Sequence, residues 1–530
     1  MMADRVKILL GRCLSRKVGN VLNRSSSIQK ERTFASLCQS CNYKRHAVKQ
    51  PHTQPLRDYH EYYSPYSPDE VYDIHEFGDA GPLICHNNEV EYLIVGGGVM
   101  GLSMAFNLWR ETENFTLLKA SKYMAPITAV VERDPTMTKA STGLSLGGVR
   151  QQFSHPANVR LSMKSAEYLR DIKYHLGLAG HDVPDIQFQP QGYLFLATKD
   201  GADKLMKNYE TQIAQGAKVM VMTQNKLKEL FPWINVEGIE LATYGLENEG
   251  WFDPWSLLTA LKSKLTSFGT EYIHGEVVGF KKEILRNSAV FLPHGSPADL
   301  TDNIDGVYIK VPHVDKPVFV KARIVINCAG AWSKKIAELA GIGAKNPLCD
   351  HEIMDTPLPV EPRKRWVYNF HCPDGPVFDC PMLIDPSGAY FRREGFGGNY
   401  LCGMSPPDDD SIDHSNLDVN YEFFHEEVWP RLAHRVPVFE KLKLKSAWAG
   451  YYEYNTFDQN AVIGPHPYYK GLHFLTGFSG HGIQQAMGAS ACLAELITTG
   501  PGDLCNQIDI STFSFDRFVI NRPIKEINIV

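Results

Sequence analysis

The chain has 530 residues, of which 43% are hydrophobic and 22% charged, and it carries a formal net charge of −6. Such a composition is typical of a globular protein, and the length predicts two or three domains. No apolar run reaches the length of about eighteen residues that a membrane-spanning helix requires, so no transmembrane span is expected.

The first fifty residues differ from the rest in charge. They contain eleven Lys or Arg and two acidic residues, a net charge of +9, so the remaining residues together carry −15. Because the basic charge is concentrated here, no nucleic-acid-binding surface is expected elsewhere. Apolar residues such as Leu10, Leu14 and Val18 recur at helical spacing between arginines, a composition typical of a mitochondrial transit peptide.

We therefore expect residues 1–50 to be a transit peptide and residues 51–88 to be a linker. The mature protein would lie in the mitochondrial matrix, either free or peripheral on the inner membrane. The alternative is a basic extension without a targeting role. The C-x-x-C pair of Cys38 and Cys41 has no second pair to complete a metal site, so no metal is predicted.

The first motif with a chemical meaning is a glycine-rich turn between a strand and a helix. An apolar strand ends in Gly96-x-Gly98-x-x-Gly101, and apolar residues at helical spacing follow. Gly96 permits the tight turn, Gly98 lets the backbone approach a diphosphate, and Gly101 lets helix and strand pack closely. Val99 and Met100 begin the helix, whose N-terminus attracts the diphosphate. The motif predicts a dinucleotide site.

A second apolar strand ends in Glu132 and Arg133. A carboxylate at this place hydrogen-bonds the ribose of a dinucleotide. Glu132 lies 36 residues after Gly96, whereas a compact unit has a separation of roughly twenty. We assign the excess to an insert around Phe115–Pro126. These two motifs leave a nicotinamide cofactor and FAD both open.

Later motifs distinguish the two cofactors. Residues 140–148 read ASTGLSLGG, residues 276–279 read EVVG, residues 327–333 read NCAGAWS, and residues 477–484 read GFSGHGIQ. Together with the glycine motif, and in this order, they resemble the cofactor motifs of the D-amino-acid oxidase and sarcosine oxidase superfamily of FAD-dependent oxidoreductases. The resemblance implies FAD as the cofactor.

The resemblance also implies which residues contact FAD. The matching positions are Gly96, Gly98, Val99, Met100, Gly101, Glu132, Arg133, Ser141, Thr142, Gly147, Gly148, Val278, Ala329, Gly330, Trp332, Gly477, Gly480, His481, Gly482, Ile483 and Gln484.

The same resemblance implies an α/β fold. A GR-type, Rossmann-like FAD-binding domain would be intertwined with a second α+β domain built on a mixed or antiparallel sheet. The FAD-binding domain is assigned to residues 89–180, 240–345 and 446–505. The second domain, residues 181–239 and 346–445, would cover the flavin and form the substrate pocket. Residues 506–530 are assigned to a C-terminal extension.

Four stretches resemble a narrower group within the superfamily, its mitochondrial members linked to the assembly of respiratory complex I. They are residues 358–366, 387–395, 447–460 and 476–486. This resemblance implies a role in the assembly or stability of complex I, with its subunits or assembly intermediates as partners. The alternative is an active oxidoreductase that transfers a hydride from a small amine or N-methyl amino acid to FAD.

The chain also departs from its superfamily. The positions that match covalent flavin linkages are Ser145 and residues 450–451, which offer no suitable nucleophile, so FAD is expected to be noncovalent. Gln484 stands where sarcosine oxidases carry a lysine. The segment after Trp448 lacks the arginine that clamps a substrate carboxylate in amino-acid oxidases.

Candidates for a replacement clamp lie elsewhere. Tyr390 and Arg392 alternate along a predicted strand, so both side chains would point into one cavity. Arg363 or Arg365 are further candidates, and the alternative is that these arginines are exposed edge charges. His481 is a catalytic candidate, although a loop histidine that contacts backbone or cofactor is the interpretation we favour.

Overall fold

A computed structural model of the chain describes residues 60–67, 70–73, 81–119, 127–285, 302–344, 352–407 and 411–528. The expected transit peptide lies outside the described residues and stays a prediction. The same holds for residues 120–126 of the expected insert, whereas residues 115–119 continue the helix that begins at Val99.

The strands of the described residues fall into two large sheets and one small one. They are β1 (His60–Tyr63), β2 (Glu89–Val95), β3 (Thr128–Glu132), β4 (Gly148–Val149), β5 (Tyr193–Ala197), β6 (Val219–Thr223), β7 (Leu241–Gly245), β8 (Gly250–Trp251), β9 (Glu271–His274), β10 (Glu276–Leu285), β11 (Asn303–Lys310), β12 (Val318–Asn327), β13 (Val360–His371), β14 (Met382–Ile384), β15 (Tyr390–Glu394), β16 (Asn399–Gly403), β17 (Lys443–Asn455), β18 (Val462–Pro465) and β19 (Leu472–Thr476).

Helices connect and cover these strands. They are α1 (Val99–Lys119), α2 (Ser141–Leu144), α3 (Pro156–Arg170), α4 (Ile172–Leu176), α5 (Lys199–Ala214), α6 (Gln224–Leu230), α7 (Pro254–Ser267), α8 (Ser333–Leu339), α9 (Glu352–Asp355), α10 (Tyr421–Phe423), α11 (Trp429–Arg435), α12 (Gly482–Thr499), α13 (Asp503–Ile508) and α14 (Asp516–Val519). In the part of the chain that the structure describes, no helix combines the length and apolarity needed to cross a bilayer.

The first sheet has a parallel core. Strands β9, β3, β2, β12 and β19 lie side by side in that order, each parallel to its neighbours. Their apolar runs are largely buried on both faces, as is typical of parallel strands covered by helices. On one face, α12 packs against α1 and α3. This is the Rossmann-like arrangement that the sequence predicts for the first domain.

Strand β12 also belongs to an antiparallel part of this sheet. Its first residues pair with β11, which pairs with β10, and β10 pairs with β1. Its last residues pair with β2 and β19. The strand therefore runs from the antiparallel part into the parallel core and delivers residues 327–333 to the core's C-terminal edge.

The second sheet has the order β17-β13-β16-β15-β14-β5-β7-β6. All neighbours are antiparallel except β14 and β5, which are parallel. The sheet is therefore mixed, as predicted. Its buried side chains include Phe370 and Phe391, whose rings both pack against Phe439 of the 3-10 helix that follows α11.

Several predicted segment boundaries differ from the observed pairing. Strands β7 and β17 belong to the second sheet, although residues 240–345 and 446–505 were assigned to the FAD-binding domain. Part of the predicted linker is strand β1 of the first sheet, and Tyr72 bridges to Val318. Strand pairing depends on partners that are distant in sequence, so a division by sequence order misplaces these strands.

The predicted C-terminal extension is a packed part of the fold. Its side chains Ile510, Phe513 and Phe515 are buried against the first sheet and its helices. The buried Arg517 forms an ion pair with Asp458, with 2.7 Å between its Nε and the carboxylate. An element with this much buried surface stabilises the domain instead of trailing from it.

Candidate functional site

The turn between β2 and α1 requires glycine at two positions. Gly96 has φ +110°, and a Cβ on it would lie 2.5 Å from the carbonyl oxygen of Cys328. A Cβ on Gly101 would lie 1.9 Å from the carbonyl oxygen of Gly96. Gly98 faces open space apart from Thr142 Oγ1, 3.3 Å from the position of its Cβ. Gly96 and Gly101 therefore allow close packing of the backbone, and Gly98 leaves room for a ligand.

Glu132 is held at the end of β3 by backbone amides. Its carboxylate accepts hydrogen bonds from Gly97 N and Asp134 N, both at 2.8 Å. The neighbouring Arg133 guanidinium lies 4.2 Å from the ring centroid of Trp332. These contacts fix a carboxylate beside the glycine turn, where the sequence predicts a ribose-binding acid.

A cavity of about 330 Å³ lies against these groups. Most of the predicted cofactor residues line it: Gly96, Gly98, Val99, Met100, Glu132, Arg133, Ser141, Thr142, Gly147, Gly148, Ala329, Gly330, Trp332, Gly480, His481, Gly482, Ile483 and Gln484. Five separate segments of the chain therefore meet at one cavity.

Three predicted cofactor residues do not line the cavity. Gly101 lies in the contact of helix with strand, and Gly477 N donates to the carboxylate of Glu453 at 3.1 Å. Val277 of β10 lines the cavity instead of Val278, and the register of β10 with β11 shifts at a β-bulge between Val277 and Gly279. A bulge shifts the register by one residue, which the sequence does not reveal.

The second sheet forms the opposite wall of the cavity. Arg365 of β13, Tyr390 of β15 and Tyr452 of β17 reach it from three strands, and Tyr193 reaches it from β5. The Arg365 guanidinium lies 4.9 Å from the ring centroid of Tyr452. Tyrosines and an arginine thus meet where the sequence predicts a substrate pocket.

Arg392 does not join Tyr390 at the cavity, so the prediction that both point into it is wrong. Its Nε donates to the carbonyl oxygen of Leu146 and its Nη1 to that of Arg393, both at 3.0 Å, and it forms an ion pair with Glu394. Alternation along a strand fixes the face on which a side chain starts, but these acceptors decide where a long arginine ends.

Arg363 also stays away from the cavity. Its guanidinium lies 5.4 Å from the ring centroid of Tyr454 and 3.5 Å from the carboxylate of Glu361. Of the arginines that the sequence offered as a clamp, Arg365 is therefore the one that lines the cavity.

His481 is buried, with its ring 4.9 Å from that of Phe153. Burial, together with the charge of Arg150, lowers the pKa of His481 to about 3, so the imidazole is neutral. Among the described residues, its Nε2 has no hydrogen-bond partner. A neutral ring with an unused nitrogen fits contact with a cofactor better than proton transfer, in agreement with the favoured interpretation.

Two charged residues at the cavity were missed as site residues. Glu453 accepts hydrogen bonds from Thr476 Oγ1 and Gly477 N, both at 3.1 Å, and burial raises its pKa to about 7. Arg150 is buried, and its backbone N donates to Gln484 Oε1 at 2.8 Å. The available signal was a charge beside each motif: Arg150 follows the 147–148 glycines, and Glu453 follows an aromatic pair.

These residues fit FAD. The open side of Gly98 and the start of α1 can receive a diphosphate, and Glu132 can receive ribose hydroxyls. Helix α12 begins at Gly482 without a side-chain hydrogen bond from its N-cap, so its first amides are free to stabilise negative charge on a flavin ring. The unused Nε2 of His481 belongs to the same loop.

Comparisons with known proteins agree with this geometry. The family described as DAO, FAD dependent oxidoreductase, matches residues 91–496. The chain is 50% identical over 443 residues to FAD-dependent oxidoreductase domain-containing protein 1 of Xenopus laevis, across 83% of this chain and 85% of that protein.

More distant relatives are enzymes with named substrates. The chain is 25% identical over 444 residues to 4-methylaminobutanoate oxidase (formaldehyde-forming) of Paenarthrobacter nicotinovorans, across 82% of this chain and 46% of that enzyme. Among solved structures, L-proline dehydrogenase from P. horikoshii superposes with a TM-score of 0.64 at 26% identity, across 82% of this chain and 99% of that one.

Proposed function

The chain belongs to the family of FAD-dependent oxidoreductases, and from this premise we propose that it oxidises a small amine that carries a carboxylate. The observation that carries the proposal is the position of Arg365, which lies on the cavity wall opposite the cofactor loops. Bound FAD supplies the hydride acceptor for such a reaction.

The guanidinium of Arg365 supplies the recognition of the acidic group. Arginine presents parallel N–H donors that match a carboxylate, and such charge-assisted hydrogen bonds are stronger than neutral ones. The ring of Tyr452 lies 4.9 Å from this guanidinium and steadies it through a cation–π contact. The side chain is therefore oriented before a substrate arrives.

Tyr390 holds its proton and can donate a hydrogen bond, whereas the hydroxyl of Tyr452 already donates to the carbonyl oxygen of Ser479. Burial raises the pKa of Tyr390 and that of Tyr452 above the ordinary value. Apolar side chains of Val367, Met382 and Ile384 complete this wall and exclude water from an alkyl group. The names of the two enzyme relatives, proline dehydrogenase and 4-methylaminobutanoate oxidase, denote substrates of this chemical class.

The test is reduction of the bound flavin without oxygen, followed by absorbance. The panel pairs amino acids with amines that lack the carboxylate: L-proline with pyrrolidine, and dimethylglycine with trimethylamine. Arg365→Gln is expected to weaken substrate binding by about 10- to 100-fold, the loss typical of a hydrogen-bonded charge. Arg363→Gln, on the same strand but away from the cavity, is the control.

Three results would overturn this proposal. One is reduction by the uncharged amines as fast as by the amino acids. Another is an equal effect of the Arg365 and Arg363 substitutions. Failure of every amine to reduce the flavin would likewise remove amine oxidation as the activity.

We further propose that the protein acts in mitochondria, where it supports the assembly or stability of respiratory complex I by contact with its subunits or assembly intermediates. The basic composition of residues 1–50 supports the location, in the matrix or on the inner-membrane face. The resemblance of the stretches 358–366, 387–395, 447–460 and 476–486 supports the role.

A rescue experiment in cells that lack the protein tests whether the role in complex I requires the pocket chemistry. Gly98→Arg fills the space left for the cofactor, and Arg365→Gln spares the cofactor loops. If complex I needs the folded flavoprotein only, Arg365→Gln restores it and Gly98→Arg does not. If it needs the pocket chemistry, both variants fail. Normal complex I in unrescued cells would remove the assembly role and leave the oxidoreductase.

A further inference from the structure

The last described residues of the chain reach back to the cofactor cavity. The family match ends at residue 496, yet residues 523–528, here called the C-terminal tail, run beside the start of α3. Within the tail, Lys525 is exposed and Glu526 is fully buried. A charged side chain is rarely buried unless partners hold it, so the partners of Glu526 indicate what the tail does.

Glu526 is bound by the segment that leads into α3. Its carboxylate accepts from Ser154 N at 2.9 Å, Ser154 Oγ at 2.6 Å, His155 N at 3.1 Å and Asn158 Nδ2 at 2.9 Å. Burial alone would raise its pKa, but hydrogen bonds from Ser154 and Asn158 hold that pKa below the ordinary value. The tail therefore places a fixed negative charge beside the segment 150–158.

Asn528 then contacts the cavity wall itself. Its carbonyl oxygen accepts from Nη2 of Arg150 at 2.6 Å, and its Nδ2 donates to the carbonyl oxygen of Gln152 at 2.5 Å. The other guanidinium nitrogen of Arg150 also donates to the Gln152 carbonyl. Two main-chain carbonyls, one of them from the tail, thus orient a buried cation that lines the cavity.

Arg150 in turn touches the loop before α12. Its backbone N donates to Gln484 Oε1 at 2.8 Å, and its guanidinium lies 4.3 Å from the ring of Phe153, which packs on His481. A change in the tail would therefore alter, through Arg150, the contacts of residues 480–484, which line the cavity.

We propose that the C-terminal tail is a positioning element of the FAD site, in which Glu526 and Asn528 hold Arg150 in place against the cavity. The tail lies outside the segment that the family model matches. The proposal requires FAD in the cavity and does not depend on which substrate is oxidised.

The test titrates apoprotein with FAD and follows flavin fluorescence. Glu526→Gln keeps the size of the side chain and removes its charge, and a stop codon after Lys525 removes the tail beyond that residue. We expect FAD affinity to fall about 10-fold for the first and up to about 100-fold for the second, the range typical of lost hydrogen bonds to charged groups. Lys525→Gln, exposed in the same tail, is the matched control.

A double-mutant cycle shows whether the tail acts through Arg150. If it does, the loss from Glu526→Gln largely disappears in an Arg150→Gln background. The midpoint potential of bound FAD supplies a second measurement that packing alone would not move. A displaced cation stabilises reduced flavin less, so we expect a lower potential, by about 30 mV for a tenfold change in a two-electron equilibrium.

The outcomes are distinct. FAD affinity and potential unchanged in Glu526→Gln, or losses that multiply fully in the double variant, would overturn the positioning role. If the truncated chain does not fold, the Glu526 and Arg150 variants still decide the matter. Normal FAD binding in these variants would leave the amine proposal untouched, and failure of every amine would leave the tail proposal untouched.

Discussion

The two walls of the cavity are made of different chemical groups. The wall from the first sheet is built around glycines and backbone amides, and two of those amides, from Gly97 and Asp134, hold the carboxylate of Glu132. The wall from the second sheet consists of long side chains, among them Arg365, Tyr390 and Tyr452. A side chain added to a glycine of the first wall would collide with the backbone or fill the space left for the cofactor. On the second wall, a single side chain can be substituted without this conflict. Cofactor binding and substrate choice can therefore be altered separately.

The largest effect is expected from a side chain on the first wall. Gly98→Arg should abolish FAD binding, because the space beside Gly98 is the room left for the diphosphate. The variant should also lose the stabilisation that FAD gives, about 4 kcal/mol at a thousandfold excess over the Kd. Isothermal titration and thermal unfolding with and without FAD measure both. Gly201→Arg, in the first turn of α5, is a control away from the cavity.

Neither wall offers a His or Cys that could bond covalently to FAD at the expected positions, which are Ser145 on one side and Tyr451 on the other. Acid precipitation of the purified protein should therefore release all of its FAD into the supernatant. Flavin that stays in the pellet would contradict this. The first residue to examine would then be Cys328, a buried thiol on the first wall whose pKa burial raises.

A smaller effect is expected from the buried carboxyl of Glu453. Its pKa of about 7 lies above the ordinary 4.5. Between those pH values the folded protein keeps a proton that the unfolded chain has released. The free energy of unfolding therefore falls as pH rises through this window, by at most about 3 kcal/mol.

Glu453→Gln should remove this part of the pH dependence, as measured by chemical denaturation at pH 5 and pH 8. Glu249, a second buried carboxyl with a pKa of about 7, does not line the cavity and gives the matched control. Both substitutions should flatten the stability curve, but only Glu453→Gln should change how FAD binding depends on pH. Equal effects on FAD binding would place Glu453 outside the cofactor site.

The smallest effect is expected on the second wall. Tyr390→Phe removes one hydroxyl that faces the cavity and should weaken substrate binding by about 10-fold, as for one lost neutral hydrogen bond. FAD affinity should stay unchanged, which flavin fluorescence titration would show. A loss of FAD affinity as large as that of substrate affinity would contradict the separation of the two walls.

The difference between the walls also explains how far the sequence could predict the site. Glycine motifs and helix starts act through the backbone, so their order along the chain identifies residues such as Gly98 and Gly482. The acceptors that turn Arg392 of the second sheet away from the cavity are tertiary features. They leave no mark at the residues themselves, so the second wall could be predicted only as a set of candidates.

The fold class could be predicted for the same reason. The sheet to which each strand belongs could not. The run that forms β2 identifies a buried strand by itself. Strands β7 and β17 fall between cofactor motifs in sequence, and only their partners place them in the second sheet.

The pairing of early with late strands has a consequence for synthesis. Strand β19 pairs with β12 on the side that β2 leaves unpaired, and β17 pairs with β13 on the side that β16 leaves unpaired. Neither sheet can therefore be completed before the residues from 443 onward have been made. A chain made from its N-terminus holds two open strand edges until that point, and such edges invite aggregation. Long-range pairing of this kind also slows folding. We therefore expect newly made chains to depend on chaperones until β17 and β19, residues 443–476, have emerged.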